Sequence, residues 1–402
     1  MRKSRASVLA VSVFLILLLF FPLFAQSSDQ EKPKVAQLGI LAELTGWLGT
    51  WDTLQVKQAK MMADILNKAG GVKVGGRQYE IQLVVEDGKS SLDGVTAAAN
   101  KLIFDHGIKF MIGPDAFFGS AVKAICEQNK ILHILGWSTM QPGEMDASTK
   151  WAFLGQDCAL ETFLVGMSYL KEKHPNVKKV ALFMPDDGSI PYLGPILKDL
   201  LKENGYMVVG DIVSYDNSAV DFNPIATRIV ATKADAAIGV SGLALPNGSI
   251  LKAIREAGSA MFVATCGGQD PNDILTVAGI GAASNYMNVG NYKEVPQQPP
   301  LLKEITRRVV AEMGKNVPLG LQFANPLYEY KQLFEKAQSF DPDVVRTTFD
   351  KAKTIDTLWG TGMLGGLRSY GIKHAVAHPT PVTTVENGKL VFQKWVTPPL
   401  VP

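Results

Sequence analysis

From residue 34 onward, short β-rich runs alternate with longer runs that carry apolar residues at helical spacing, and that rhythm leaves few folds open. Val35–Leu41 reads as a buried strand. Leu54–Lys68 reads as a helix with Ala59, Met62, Ala63 and Leu66 on one face, stopped by Gly70-Gly71. Strand Tyr79–Glu86, helix Leu92–Phe104, strand Phe110–Gly113, helix Ser120–Gln128 and strand Ile131–Leu135 follow. The rhythm then repeats, with helices Ala159–Leu170, Tyr192–Asn204, Phe222–Ala231 and Ile250–Ala257 between strands Lys179–Met184, Met207–Tyr215, Ala236–Val240 and Met261–Thr265. Parallel strands need a crossover, usually a helix, so repeated β-α units predict parallel sheets covered on both faces. Two such runs, split near residues 153–157, predict an α/β chain of two doubly wound lobes. The last third changes character: helices Leu301–Gly314, Pro326–Gln338 and Pro342–Ala352 come in succession, and Asn387-Gly388 between Val382–Glu386 and Leu390–Trp395 signals a two-residue hairpin.

The start of the chain stands apart from this pattern. Met1-Arg2-Lys3-Ser4-Arg5 is basic, Val8–Phe21 is apolar apart from Ser12, and Ala25 precedes the polar Gln26-Ser27-Ser28. That order predicts a cleaved secretory signal peptide over residues 1–25, and the apolar run is shorter than a spanning helix needs. Cleavage takes three of the 40 basic residues and none of the 38 acidic ones, which leaves the mature chain one unit negative. A chain so nearly neutral lacks the field to hold nucleic acid. Hydrophobic residues at 47% are enough for a large core without a metal or staple. Cys126, Cys158 and Cys266 are far apart, and the simplest reading is three small buried side chains, with one disulfide open as an alternative.

Several segments, in order and at the right spacing, resemble the type I periplasmic binding proteins of the leucine/isoleucine/valine-binding family. They are Asn67-Lys68-Ala69-Gly70-Gly71-Val72, Gly76–Ile81 with Glu86-Asp87, Lys101-Leu102-Ile103, Gly107-Ile108, Ile112-Gly113-Pro114 and Asn387-Gly388-Lys389. The resemblance spans residues 34–396. It implies two three-layer α/β/α lobes joined by a three-strand hinge, with crossings near 153–157, 286–290 and 359–364. Lobe one would hold 34–153 plus 290–358, and lobe two 157–285 plus 365–402. It further implies an exported, periplasmic (or outer-face) monomer that captures a small ligand by lobe closure and passes it to the permease and ATPase subunits of an ABC transporter of the branched-chain amino acid type. No catalysis, cofactor or metal is implied.

In parallel α/β sheets ligands sit beyond the carboxyl ends of the strands, where helix N-termini attract anions. The loops there carry the candidate ligand-binding residues. Lobe one offers Trp51, Phe117, Phe118, Trp137, Ser138 and Thr139; lobe two offers Tyr192, Ser241 and Gln269, with Cys266 or Asp270 as further candidates. The family's carboxylate-binding serines are replaced by Phe117 and Phe118, and its ammonium-binding acid by Cys266 or Gln269. Ser138 and Thr139 match its small-residue-plus-Thr pair. The implied ligand is therefore a carboxylated, aromatic or branched aliphatic molecule that needs no ammonium group. The same residues have structural roles open to them: core for the aromatics, helix caps for Ser138 and Thr139, surface for Tyr192.

Two other classes compete. A sensor of the same fold would feed a signalling receptor instead of a transporter. A secreted α/β enzyme finds little support: Gly360-Thr361-Gly362-Met363-Leu364-Gly365 has the dinucleotide spacing without the strand-turn-helix setting, and His374 and His378 lie in a proline-bearing segment with no third ligand.

Overall fold

A computed structural model describes residues 34–137, 143–156 and 159–398. The segment read as a signal peptide lies outside the described residues, as do Ser138, Thr139 and Cys158. The first stretch runs β1 (Val35–Ala42), α1 (Gly49–Lys68), β2 (Val72–Val74), β3 (Arg77–Asp87), α2 (Leu92–Asn100), β4 (Phe110–Ile112), α3 (Gly119–Asn129), β5 (Leu132–Leu135) and β6 (Ala152–Leu154). The second runs α4 (Ala159–Lys173), β7 (Lys179–Pro185), α5 (Ile190–Glu203), β8 (Met207–Val208), β9 (Val213–Tyr215), α6 (Asn223–Ala231), β10 (Ala236–Val240), α7 (Ala244–Glu256), β11 (Phe262–Gly268), α8 (Pro271–Ala278) and β12 (Tyr286–Gly290). Then come α9 (Pro300–Met313), α10 (Ala324–Ala337), α11 (Pro342–Asp350), β13 (Thr354–Thr357), β14 (Gly360–Gly365), α12 (Leu367–Tyr370), β15 (Ala375–Ala377), β16 (Thr380–Glu386) and β17 (Lys389–Val396).

These strands form two sheets. One has the order β13-β14-β15-β6-β5-β4-β1-β3-β2, and the other β17-β16-β12-β11-β10-β7-β8, with β9 beside β7. The central pairs of both sheets are parallel; the first sheet is antiparallel at both ends, and the second only at its β12-β16-β17 end. The central strands are fully buried runs, as a sheet covered on both faces requires. On the first sheet one face packs Val56, Met62, Leu327, Tyr330 and Phe334 from α1 and α10, and the other packs Val95, Leu102 and Val122. On the second sheet Phe163, Leu170 and Leu197 of α4 and α5 cover one face, and Ile229, Ile250 and Ile274 of α6 to α8 the other.

Most sequence-derived elements fall where expected, and the differences have local causes. The helix expected from Leu54 begins at Gly49, so Trp51 lies in the first turn of α1. The strand expected over Met207–Tyr215 is two, both parallel to β7: β8 pairs at its start and β9 at its end, with residues 209–212 outside either strand. The third passage between sheets, expected at 359–364, lies instead at His378-Pro379. Gly360–Gly365 is not a crossing: β14 pairs antiparallel with both β13 and β15, and those three strands extend the first sheet. Residues 354–377 therefore belong with the first sheet. Asn387 and Gly388, at φ 51° and 71°, make the expected two-residue turn between Glu386 and Lys389.

The passages are fastened from within the first half. Asn325 of α10 donates from Nδ2 to the Gly155 carbonyl (2.6 Å) and to Glu329 (3.0 Å), and its Oδ1 accepts from the Leu358 N–H (2.9 Å). Glu329 is fully buried, and burial without a cationic partner pushes its carboxyl well above the usual range. A β-carbon at Gly155 would stand 2.3 Å from Glu329 Oε2, so only glycine fits this passage. One turn along α10, the buried Tyr330 hydroxyl sits 3.0 Å from the Met111 carbonyl and 2.6 Å from that of Leu132, tying the helix to β4 and β5. Tyr330→Phe should leave the fold intact and cost roughly 1–2 kcal/mol in urea unfolding, because the strand carbonyls lose their donor while the ring packing remains.

Candidate functional site

The carboxyl ends of β5, β6, β11 and β12 face a common cavity. Trp137 follows β5, Gln156 follows β6, Gln269 and Asp270 follow β11, and Asn291 follows β12. Trp51 of α1, Asp273 of α8 and the stretch Pro318-Leu319-Gly320 with Gln322 complete the lining. The space among these residues, counting the part open to solvent, is about 460 Å³. Gln156 and Asn291 both donate to the Gly320 carbonyl (3.4 Å each), so the first two inter-sheet passages meet at the loop ahead of α10.

That loop is held by α1. Gln58 accepts from the Leu321 N–H (3.2 Å) and donates to the Pro318 carbonyl (2.8 Å), and Gln55 accepts from the Gln322 N–H (3.3 Å). The Gln322 side chain then reaches behind the cavity and donates from Nε2 to Asp52 Oδ1 (3.2 Å) and Asp115 Oδ2 (2.8 Å). Glu43 closes the group: its own N–H donates to Asp52 (2.8 Å), and its Oε2 accepts from the Asp115 N–H (3.3 Å). All three carboxyls are at most 2% exposed. Burial is the main cause that lifts each above the ordinary carboxylate range, and it pushes Glu43 up to about 7. Their mutual repulsion adds to the shift at Asp52, and the Gln322 hydrogen bond offsets part of it at Asp115.

On the opposite wall Asp270 is the N-cap of α8 and accepts from the Asn272 N–H (2.8 Å) and the Lys293 N–H (3.2 Å). Burial raises it to about 6 despite those bonds and the nearby Lys293 charge. Asp273, half-buried, is raised for the same reason. The Lys293 ammonium is turned toward the carbonyls of Lys315 (3.1 Å) and Val317 (2.9 Å).

Of the residues expected at the site, Trp51, Trp137 and Gln269 line the cavity. Ser138 and Thr139 lie outside the described residues. Phe117 and Phe118 are not among the lining residues. They pack against the exposed Trp47, with ring centroids 5.2 and 6.5 Å away, and Phe118 joins Leu48, Val95 and Val122 in the core behind α3. Tyr192, at 52% exposure, sits on the first turn of α5, after β7. Ser241 is buried after β10, its N–H bonded to the Cys266 carbonyl (2.9 Å). Both fall away from the cavity because β10 and β7 lie beyond β11 in the sheet order. Cys266 is buried at the end of β11, outside the lining. Gln156, Asn291, Asp273 and Gln322 were not anticipated. The available signal for Gln156 and Asn291 was a polar residue directly after a short buried strand; nothing local marks Gln322. His374 and His378 are also structural: His374 stacks on Phe153 and hydrogen-bonds the Ala152 carbonyl, and His378 stacks on Trp359.

The native chain keeps protons on the Glu43 group at a pH where the unfolded chain has released them. Stability from this group is therefore present below about pH 4.5 and lost as the pH rises through about 7. His133, buried in β5 and held down to about 4, acts in the opposite direction. The comparison with Glu43→Gln separates the two. Urea unfolding at pH 5 and pH 8 should show the wild-type chain losing up to about 3 kcal/mol more than the variant over that interval; parallel profiles would show that the buried group does not titrate there.

Comparison with known proteins gives one consistent picture. The family model described as periplasmic binding protein matches residues 36–389. Among solved structures, the branched-chain amino acid transporter substrate binding protein LivJ of Streptococcus pneumoniae, in complex with isoleucine, superposes with a TM-score of 0.70 at 20% identity, over 91% of this chain and 100% of that one. A leucine binding protein of Thermotoga maritima gives 0.70 at 17%, over 90% and 99%. A solute binding protein of an ABC transporter from R. palustris, in complex with 4-hydroxybenzoate, gives 0.69 at 17%, over 90% and 96%.

Proposed function

The chain belongs to the periplasmic binding protein family, and we propose that it is the extracytoplasmic solute-binding component of an ABC transporter, taking up one small organic molecule by closure of its two sheet-centred halves. The carrying observation is the cavity itself. It is lined from both halves and from the passages that join them, so a bound solute would bridge the two and favour their approach. Among the described residues the lining consists mainly of indoles, amides and two carboxyls, groups suited to holding a small molecule by stacking and hydrogen bonds. No helix among the described residues is long and apolar enough to cross a membrane, in keeping with export as a whole protein. The carboxylate expected in the solute rests on Ser138 and Thr139, which lie outside the described residues.

Native mass spectrometry of ligand-stripped protein mixed with a small-molecule extract of the expressing cells should show one adduct per chain, and small-angle scattering should show a smaller radius of gyration with the extract than without. Trp51→Ala should lose both responses. An extract that is chemically converted by the protein, or one that produces neither adduct nor compaction, would overturn the proposal.

A further inference from the structure

Within the solute-binding reading, on which it rests, we infer that Gln322 and the carboxyls behind it form a proton-linked positioning device: the cavity keeps its solute-binding shape while Glu43, Asp52 and Asp115 share protons, and it loses affinity as those protons leave. The N–H donors that reach these oxygens are neutral. Asp52 accepts from the Glu43 N–H and from Gln322, Asp115 from Gln322 and the Phe117 N–H (3.4 Å), and Glu43 Oε2 from the Asp115 N–H. The Asp52 carboxyl is also within hydrogen-bond reach of the Glu43 and Asp115 carboxyls, and such contacts need a proton between the two acids. Glu43 Oε1 is fully buried without an N–H donor.

The groups around the cluster do not relieve it. Asp87, at the end of β3, is committed to the N–H groups of Leu44, Thr45 and Lys89, and Lys89 itself is exposed. His133 of β5, beside the Gly113 backbone, is held down to about 4 by burial and carries no charge at neutral pH. Glu144, buried against Gly119 of α3, is another acid. Gln55 of α1 and Gln322 are neutral. Proton loss therefore sets like charges in contact with little water to screen them, and relief comes from parting the segments that carry them. Those segments also carry the cavity. Asp52 adjoins Trp51, Gln322 lines the cavity itself, and on its loop the Gly320 carbonyl receives Gln156 and Asn291. One amide nitrogen spans Asp52 and Asp115, and it cannot keep both once they part. The rise of Glu43 to about 7 places the change near neutrality. By linkage, a solute that fits the protonated arrangement is held less tightly as the pH rises.

Two measurements between pH 6 and pH 8.5 test this. In hydrogen exchange of the ligand-stripped protein, corrected for the intrinsic pH dependence of exchange, the Leu321 and Gln322 amides bonded to Gln58 and Gln55 should open about tenfold more often at the higher pH in the wild-type chain, and no more often in Glu43→Gln. In native mass spectrometry with the small-molecule extract of the expressing cells, the extract concentration that gives half-occupancy should rise about tenfold over the same interval. Neither Glu43→Gln nor Asp115→Asn should show that rise. Equal opening of the loop at both pH values, equal occupancy at both, or the same pH effect in the variants overturns the inference and leaves the solute-binding reading standing. An adduct missing at both pH values fails that reading, and the inference with it.

Discussion

The Gln322 amide joins pieces of chain that are far apart in sequence. Its nitrogen lies between Asp52 on α1 and Asp115 ahead of α3, while its backbone is held by Gln55. Both nitrogen contacts are carboxyl oxygens, so the amide points its nitrogen at the acids. The loop at residues 318–322 is thereby set against α1, and on that loop the Gly320 carbonyl receives Gln156 and Asn291. The position of the cavity wall and the meeting of two inter-sheet passages rest on this side chain together with Gln55 and Gln58 of α1.

Three carboxyls packed together without a cation would ordinarily be a liability. Here the cost is contained by shared protons and by neutral amide donors, and the upward shifts of Glu43, Asp52 and Asp115 record that compromise. A lysine or arginine in their place would have solved the local problem but would also have brought a positive charge to the back of the cavity. Glu329 follows the same rule at the first passage, where a neutral acid and an asparagine do the work of an ion pair. Among the described residues, ion pairs such as Arg368–Glu203 and Lys101–Glu86 lie at the surface, whereas the buried acids Glu43 and Glu329 meet amides and other acids.

The sheets were legible because burial on both faces forces continuous apolar strands, and crossover helices carry the 3.6-residue period. Asn387-Gly388 was legible because few dipeptides adopt two successive positive φ angles. The third passage was misplaced because glycines at 360–366 resemble a flexible connection, whereas the antiparallel partners that make them a strand are remote and leave no local trace. At the site, the aromatic loop positions Trp51 and Trp137 could be read from their place after strands. Phe117 and Phe118 looked equivalent, and only the packing of Trp47 and α3 separates them. Gln322 owes its role to aspartates 270 and 207 residues away, a relation that no local pattern encodes.

The strand order has a consequence for how the chain comes into being. The first sheet needs β13 to β15, and its core needs Phe323, Leu327, Tyr330 and Phe334 of α10, so it stays incomplete until most of the polypeptide exists. The central strands of the second sheet, β7 to β12, lie in one uninterrupted stretch. The second half is closed by β16 and β17 and its core takes in Val382, so it too waits for the last part of the polypeptide. Both halves are thus completed from the C-terminal end, and neither can be finished from one contiguous stretch of chain.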